Sequence, residues 1–184
     1  MQLGKLIYEA KNGSTAAQKC LFDEMADRML VTCYRYIKNQ EDAEELMLNG
    51  FYKFFRNIQS FSYEEDAALF GYVKRIMVNE CLMFLRKKKA FTIVAESLAG
   101  DIPLGEEALD NMSANEILEL VLQLPIGYRT VFNLNIIEGY NHNEIAAMMG
   151  ISPGTSKSQL SKARGLLQKM MTQKGIEYAR QKIQ

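Results

Sequence analysis

The stretch YNHNEIAAMMGISPGTSKSQLSKARGLLQKM, from Tyr140 to Met170, decides the fold of the second half of the chain. Asn141 is placed to cap a short helix, and Gly150 suits a tight turn that needs a positive φ. Ser152 is placed to cap the next helix, with Pro153 at its first position, where no N–H partner is required. Two short helices separated by such a turn predict a helix-turn-helix.

The second of these helices divides into a buried and an exposed face. Steps of four and three residues predict a buried stripe of Ser156, Leu160, Ala163, Leu167 and Met170. The opposite face carries Ser158, Ser161 and Lys162, flanked by Lys157. Serine and lysine can contact base edges and phosphates, so this face is typical of a DNA-recognition helix. The alternative interpretation is an ordinary helical hairpin with a solvated polar face.

The rest of the chain also has helical periodicity, and no run alternates long enough to predict a strand. Ser14 or Thr15 is placed to cap a long helix that reaches about Ile37. In the following helix, an apolar stripe is formed by Met47, Phe51, Phe54 and Ile58. In the third, the expected core residues are Phe70, Val73, Ile76, Met77, Leu82 and Leu85. We expect these two helices to span about 41–59 and 64–89, with another at 126–138 that begins after Pro125 and ends at Gly139.

Charge and composition divide the chain into three parts. Residues 1–90 carry 14 Lys/Arg and 12 Asp/Glu, and residues 116–184 carry 8 Lys/Arg and 5 Asp/Glu, so both are mildly basic. Residues 91–115, between them, carry 5 Asp/Glu and no Lys/Arg, so this stretch is acidic. Gly100, Pro103 and Gly105 interrupt the acidic stretch, whereas Ser113 and Glu116 fit a capping box after it. The fold class is therefore predicted as all-α. A three- to four-helix domain (1–90) and a helix-turn-helix domain (113–184) are joined by an acidic linker (91–112).

Composition argues against several classes of function. The cysteines Cys20, Cys33 and Cys81 form no CxxC pair and no metal-ligand spacing, which fits a reducing cytoplasm. No apolar run approaches the roughly 18 residues of a membrane span. The single histidine, His142, has no second His, Cys or carboxylate at catalytic spacing. We therefore expect a cytoplasmic protein that is not an enzyme and has no catalytic residues, metal, cofactor or small-molecule substrate.

Three segments together resemble one protein family. DAEELMLNGFYKFF (Asp42–Phe55) resembles the polymerase-binding helix of extracytoplasmic-function sigma factors, and LFGYVKRIMVNECLMFLRKKK (Leu69–Lys89) looks like their promoter-melting helix. LPIGYRTVFNLNIIEGYNHNEIAAMMGISPGTSKSQLSKAR (Leu124–Arg164) is similar to their region-four domain. The order and spacing match over essentially the whole chain. The resemblance implies a factor that binds core RNA polymerase and directs transcription initiation at specific promoters.

The resemblance also implies three sets of contact residues. The helix Asp42–Phe55 would bind the β′ subunit of core polymerase, with contacts expected at Asp42, Glu45, Leu48, Asn49 and Tyr52. Contacts to the minus-ten element and the melted strand are expected at Tyr72, Lys74, Arg75, Asn79, Arg86, Lys87 and Lys88. Contacts to the minus-thirty-five element are expected at Thr155, Lys157, Ser158, Ser161, Lys162, Arg164 and Arg129, with Thr130 also near the DNA backbone.

Two of these roles carry their own chemistry. The Asn79 amide can pair with the edge of an unstacked base, and the Tyr72 ring can stack on one. Simple core packing is the equal alternative for Tyr72. The acidic linker would occupy the path of the nascent RNA in the polymerase cleft, and a plain solvated spacer is its alternative.

The chain departs from the family pattern at several positions. The polymerase-binding helix of the family usually reads Asp-x-x-Gln-Glu, where this chain has Glu45, Leu48 and Asn49, and a frequent Asp of the melting helix is Met83. The departures at Leu48 and Asn49 remove a polar pair that the family pattern has in its β′-binding helix, and the docking mode is expected to be kept. They also leave room for a degenerate sigma-like decoy.

The resemblance implies two partners, which are promoter DNA and core polymerase, bound through its β′ and β subunits. Family members are often held inactive by an anti-sigma factor, and we expect a monomer when the chain is free. The rival function is a stand-alone helix-turn-helix regulator, which would bind duplex DNA tightly without polymerase.

Overall fold

The computed structural model describes residues 3–88 and 114–173, and these residues form helices with no strand among them. The chain divides into two compact units, Met1–Lys87 and Lys88–Gln184. The all-α class with two helical domains is therefore confirmed. The predicted linker at 91–112 and the capping residue Ser113 lie outside the described residues.

The first unit contains four α-helices. These are α1 (Leu3–Lys11), α2 (Thr15–Ile37), α3 (Gln40–Arg56) and α4 (Asp66–Lys87), with a 3-10 turn at Ile58–Ser60. Ser14, rather than Thr15, caps α2 by accepting a hydrogen bond from the Ala17 amide. The sequence analysis did not predict α1, although its buried residues Leu3, Leu6, Ile7 and Ala10 follow the i, i+3, i+4, i+7 spacing of one helix face.

The core of this unit lies between α2, α3 and α4. All four residues of the apolar stripe predicted from the sequence (Met47, Phe51, Phe54 and Ile58) are buried. Two of the core residues predicted in α4, Phe70 and Ile76, are only half-buried. The exposed part of Phe70 is explained by the Arg28 guanidinium, which lies 4.6 Å from the centre of its ring.

The second unit contains the helix-turn-helix. Its helices are α5 (Ala114–Gln123), α6 (Ile126–Phe132), which continues in a π-helical turn at Asn133–Ile137, α7 (His142–Met149) and α8 (Pro153–Gln173). Gly139, with φ 79°, follows the π-helical turn.

The predicted caps of the helix-turn-helix are present. Asn141 and Glu144 form a capping box at the start of α7, and Gly150 ends this helix with φ 70°. The Ser152 hydroxyl accepts a hydrogen bond of 3.0 Å from the Thr155 amide at the start of α8. The roles of Asn141, Gly150 and Ser152 were predicted because each depends on local contacts, whereas the part of Glu144 in the capping box was not predicted.

The buried face of α8 matches the predicted stripe except at its end. Ser156, Leu160, Ala163 and Leu167 are buried. Met170 was predicted to complete the stripe, but it is half-exposed and Met171 is buried in its place. The last step is therefore four residues rather than three; positions 170 and 171 lie on opposite edges of the stripe, so the helical period alone does not decide which of them is buried.

Candidate polymerase and DNA interfaces

One face of α3 carries large side chains in solvent. Leu48 is 54% and Tyr52 is 64% exposed, and Glu45 and Asn49 are exposed between them. Residues 45, 48, 49 and 52 are three and four positions apart, so they share one helix face opposite the buried stripe. Asp42 stands one turn earlier; it is half-buried, and its amide donates to the Asn39 side chain. We call Glu45, Leu48, Asn49 and Tyr52 the α3 stripe.

A groove in the first unit brings Tyr72 and Asn79 together. Its volume is about 340 Å³, and it is lined by Lys53, Asn57, Ser60, Tyr72, Ile76, Asn79 and Glu80. The Tyr72 ring is half-buried, with its centre 4.8 Å from that of Phe61 and 6.2 Å from that of Phe54. Asn79 is exposed. Tyr72 therefore packs against two core rings and also lines the groove beside an amide.

An ion pair closes one side of the groove. The Lys53 ammonium lies 2.6 Å from a carboxylate oxygen of Glu80, and Glu80 is buried. The sequence analysis missed both residues because they belong to different helices, 27 positions apart. The available signal was that Glu80 is the only acidic residue of α4 beyond its first turn.

The predicted cations of α4 lie outside the groove lining. Arg75, Arg86, Lys87 and Lys88 are exposed, whereas Lys74 is half-buried. The Arg86 Nε donates to the Leu82 carbonyl, one turn earlier. Arg86 and Lys87 occupy the last turn of α4, where positive charge is favourable to the helix dipole.

The outer face of α8 carries most of the residues predicted to contact the upstream element. Thr155, Lys157, Ser158 and Ser161 are exposed, and Lys162 and Arg164 are half-buried. The Thr155 hydroxyl lies 2.9 Å from that of Ser152. We call Lys157, Ser158, Ser161 and Lys162 the α8 face.

Arg129 does not belong to this surface. It is only 5% exposed, and its Nη1 donates to the carbonyls of Leu124 at 3.1 Å and Leu122 at 3.4 Å. Burial lowers the pKa of Arg129. Thr130 is also buried, and its hydroxyl donates to the Ile126 carbonyl. The expectation that Arg129 and Thr130 contact the DNA backbone needs correction, because both are buried and donate to backbone carbonyls, Arg129 to those of α5 and the following turn and Thr130 to that of Ile126.

A further contact links the two helices of the helix-turn-helix. The Nδ1 atom of His142 lies 2.9 Å from the hydroxyl oxygen of Ser156. Burial lowers the pKa of His142, and the positive charges of Lys157 and Arg164 lower it further. The sequence analysis assigned no contact to His142; the available signal was Ser156, a polar residue in the predicted buried stripe that needs a polar partner.

The described residues contain no arrangement typical of metal binding or of a membrane span. Within 3–88 and 114–173, no three His, Cys, Asp or Glu side chains are grouped to hold a metal ion. No helix in those ranges is both long and apolar enough to cross a membrane. Cys33 and Cys81 are buried and form no disulfide. The pKa of the Cys81 thiol is raised mainly by a hydrogen bond with Cys33 and also by burial.

Comparison with known proteins identifies both units. Residues 21–91 match the family model of sigma-70 region 2, and residues 114–167 match that of sigma-70 region 4. The chain is 29% identical to the ECF RNA polymerase sigma factor SigW of Bacillus subtilis, over 93% of this chain and 97% of SigW. It is 27% identical to the ECF RNA polymerase sigma factor SigM of Mycobacterium tuberculosis, over 85% of this chain and 80% of SigM.

One solved structure aligns with 91% of this chain and with 96% of the chain in that structure. It is the structure of CnrH in complex with the cytosolic domain of CnrY, with 16% sequence identity and a TM-score of 0.48.

Two helical units with these matches define a sigma-70 family transcription factor. Within this family, the chain belongs to the extracytoplasmic-function class, and it directs RNA polymerase to initiate transcription at promoters. The rival interpretation, a stand-alone helix-turn-helix regulator, is not favoured, because the region-2 match accounts for the first unit.

Proposed function

We propose a division of work among three segments of this sigma factor. Residues 1–90 bind core polymerase and open the minus-ten element, residues 113–184 bind the minus-thirty-five element, and residues 91–112 link them. In this proposal the α3 stripe contacts the β′ subunit, and further contacts extend to the β subunit. The free chain is a monomer, and an anti-sigma factor would compete with polymerase for it.

The observation that carries this proposal is the groove shared by Tyr72 and Asn79. An aromatic ring can stack on an unpaired base, and an amide can both donate to and accept from a base edge. The two residues line one cavity of about 340 Å³. The neighbouring cations Arg75, Arg86 and Lys87 are exposed, and they would bind the phosphates of the same strand.

The overall proposal is tested by mixing the full chain with core RNA polymerase from its own source. We expect the two to co-elute, and a housekeeping sigma factor to displace the chain. Run-off transcription on genomic fragments then identifies a promoter for the holoenzyme. Absence of binding to matched core polymerase, together with tight duplex binding by the chain alone, would instead support the stand-alone regulator.

Asn79→Ala is expected to impair strand opening more than initial promoter binding. The amide contributes about 0.5–1.5 kcal/mol to a base contact, so the open fraction should fall by up to roughly tenfold. Permanganate footprinting reports unpaired thymines, and filter binding of the holoenzyme reports total affinity. Asn12→Ala, at another exposed asparagine of the first unit, is the matched control. Normal opening by the Asn79 variant would remove this residue from the proposed site.

Lys157→Ala combined with Lys162→Ala is expected to weaken recognition of the upstream element. Each lost base contact should cost about 1–3 kcal/mol, measured as promoter affinity of the holoenzyme. Lys169→Ala is the matched control, because Lys169 is an exposed lysine of the same helix outside the α8 face. Unchanged affinity for the double variant would exclude the α8 face from promoter recognition.

A further inference from the structure

The hydrogen bond between His142 and Ser156 places an imidazole beside the recognition helix. Ser156 has no exposed surface, and it lies between Thr155 and Lys157 in α8. His142 is half-buried at the first position of α7, and its Nδ1 is 2.9 Å from the Ser156 hydroxyl. The imidazole is therefore held next to residues of the proposed DNA surface, while part of it still reaches solvent.

The charges around this imidazole are mainly positive. Lys157 and Arg164 of α8 both act on His142. In α7 itself, Glu144 is engaged by the Asn141 amide in the capping box. The π-helical turn Asn133–Ile137, which also packs on α7, contains no titratable residue. Protonation of His142 in the free protein would therefore add a third positive charge beside two others.

We propose that His142 takes up a proton when the α8 face binds DNA, so that recognition of the upstream element is linked to protonation of this residue. The inference rests on the proposed DNA contact of α8. Phosphates near Lys157 and Arg164 would neutralise the two charges that oppose protonation, and they would attract an imidazolium directly. His142 then acts as a further DNA-linked residue beside the contacts already proposed.

Protonation of His142 and DNA binding are expected to favour each other. In the free chain, the pKa of His142 lies below its ordinary value of 6.5, because of burial, Lys157 and Arg164. DNA phosphates raise it, so the bound state holds more protons between the two pKa values. DNA affinity is therefore expected to rise as the pH falls through that window. One coupled proton permits at most about a tenfold change per pH unit.

A nuclear magnetic resonance titration measures this linkage directly. Because His142 is the single histidine of the sequence, the untagged full chain gives one histidine Cε1–H signal. The titration is run without DNA and with a mixed-sequence duplex at low salt, at a duplex concentration that fluorescence anisotropy shows to saturate the chain. We expect the midpoint to move to higher pH with duplex. An unmoved midpoint on saturated protein would overturn the proposal.

Substitutions separate this inference from the proposed DNA surface. His142→Asn removes the titrating group and keeps a polar side chain near Ser156, so fluorescence anisotropy should show duplex affinity losing its rise between about pH 8 and about pH 6. If the holoenzyme with the Lys157→Ala and Lys162→Ala double variant binds promoter DNA normally, the DNA surface itself is wrong. If that double variant binds weakly while the wild-type histidine midpoint stays unmoved, only the proton linkage fails. The wild-type titration decides this even if His142→Asn does not fold.

Discussion

Replacing Leu48 and Tyr52 together with alanine is expected to abolish co-elution of the chain with core RNA polymerase. Both side chains are more than half exposed on the α3 stripe, and neither contributes to the core between α2, α3 and α4. We expect Leu48 and Tyr52 to be hot spots of this interface, and a hot-spot side chain contributes about 2 kcal/mol or more, which is roughly thirtyfold in affinity. The double variant should therefore lose about two to three orders of magnitude in polymerase affinity.

A matched control is available in the same unit. Tyr8 is 70% and Val31 is 48% exposed, so Tyr8→Ala with Val31→Ala removes similar apolar surface from α1 and α2. Both double variants should keep the wild-type unfolding free energy within about 0.5 kcal/mol per site, because exposed side chains contribute little to stability. Equal loss of polymerase binding in the two double variants would show that the effect is not specific to the α3 stripe.

The exposure of Leu48 also bears on the departure from the family pattern at this position. Where the family usually has a polar residue, this chain presents an apolar side chain to solvent. An exposed leucine beside an exposed tyrosine fits a docking contact that depends more on apolar area and less on hydrogen bonds. We therefore expect the polymerase affinity of this chain to depend less on salt concentration than the affinity of an interface made by charged residues.

The features predicted correctly from sequence are those whose partners are close in the chain. The Asn141 side chain accepts hydrogen bonds from amides two and three residues later, and the Ser152 hydroxyl accepts one from the Thr155 amide. Gly150 requires only the left-handed backbone conformation that glycine adopts easily. The buried apolar set Met47, Phe51, Phe54 and Ile58 was likewise predicted, because its members belong to α3 or to the turn that follows it.

The features missed are those that depend on how helices pack. Glu80 is buried and paired with Lys53 of another helix, and Ser156 is buried beside a histidine 14 residues away. Arg129 was expected to contact DNA, because its position matches one at which the resembled family can touch the DNA backbone. Its burial depends on carbonyls that α5 and the following turn present to it.

Phe54→Ala is expected to cause the largest loss of stability in the first unit. The Phe54 side chain has no exposed surface, and its ring centre lies 5.1 Å from that of Phe55 and 6.3 Å from that of Phe61. Removing a buried phenylalanine ring leaves a cavity and costs about 3–5 kcal/mol. Urea unfolding followed by circular dichroism should show the transition of this unit at lower denaturant. Phe55→Ala, at a half-buried neighbour, should cost clearly less.

The same substitution connects core packing to the proposed groove. The Tyr72 ring packs edge-on against Phe54, at 6.2 Å between centres, and lines the groove with its other side. A cavity at position 54 lets Tyr72 move inward, away from a base in the groove. At a temperature where the variant stays folded, strand opening by the holoenzyme should fall, while initial binding through the α8 face is kept. Normal opening by a folded Phe54→Ala variant would mean that Tyr72 serves core packing alone, which is the alternative that the sequence left equal.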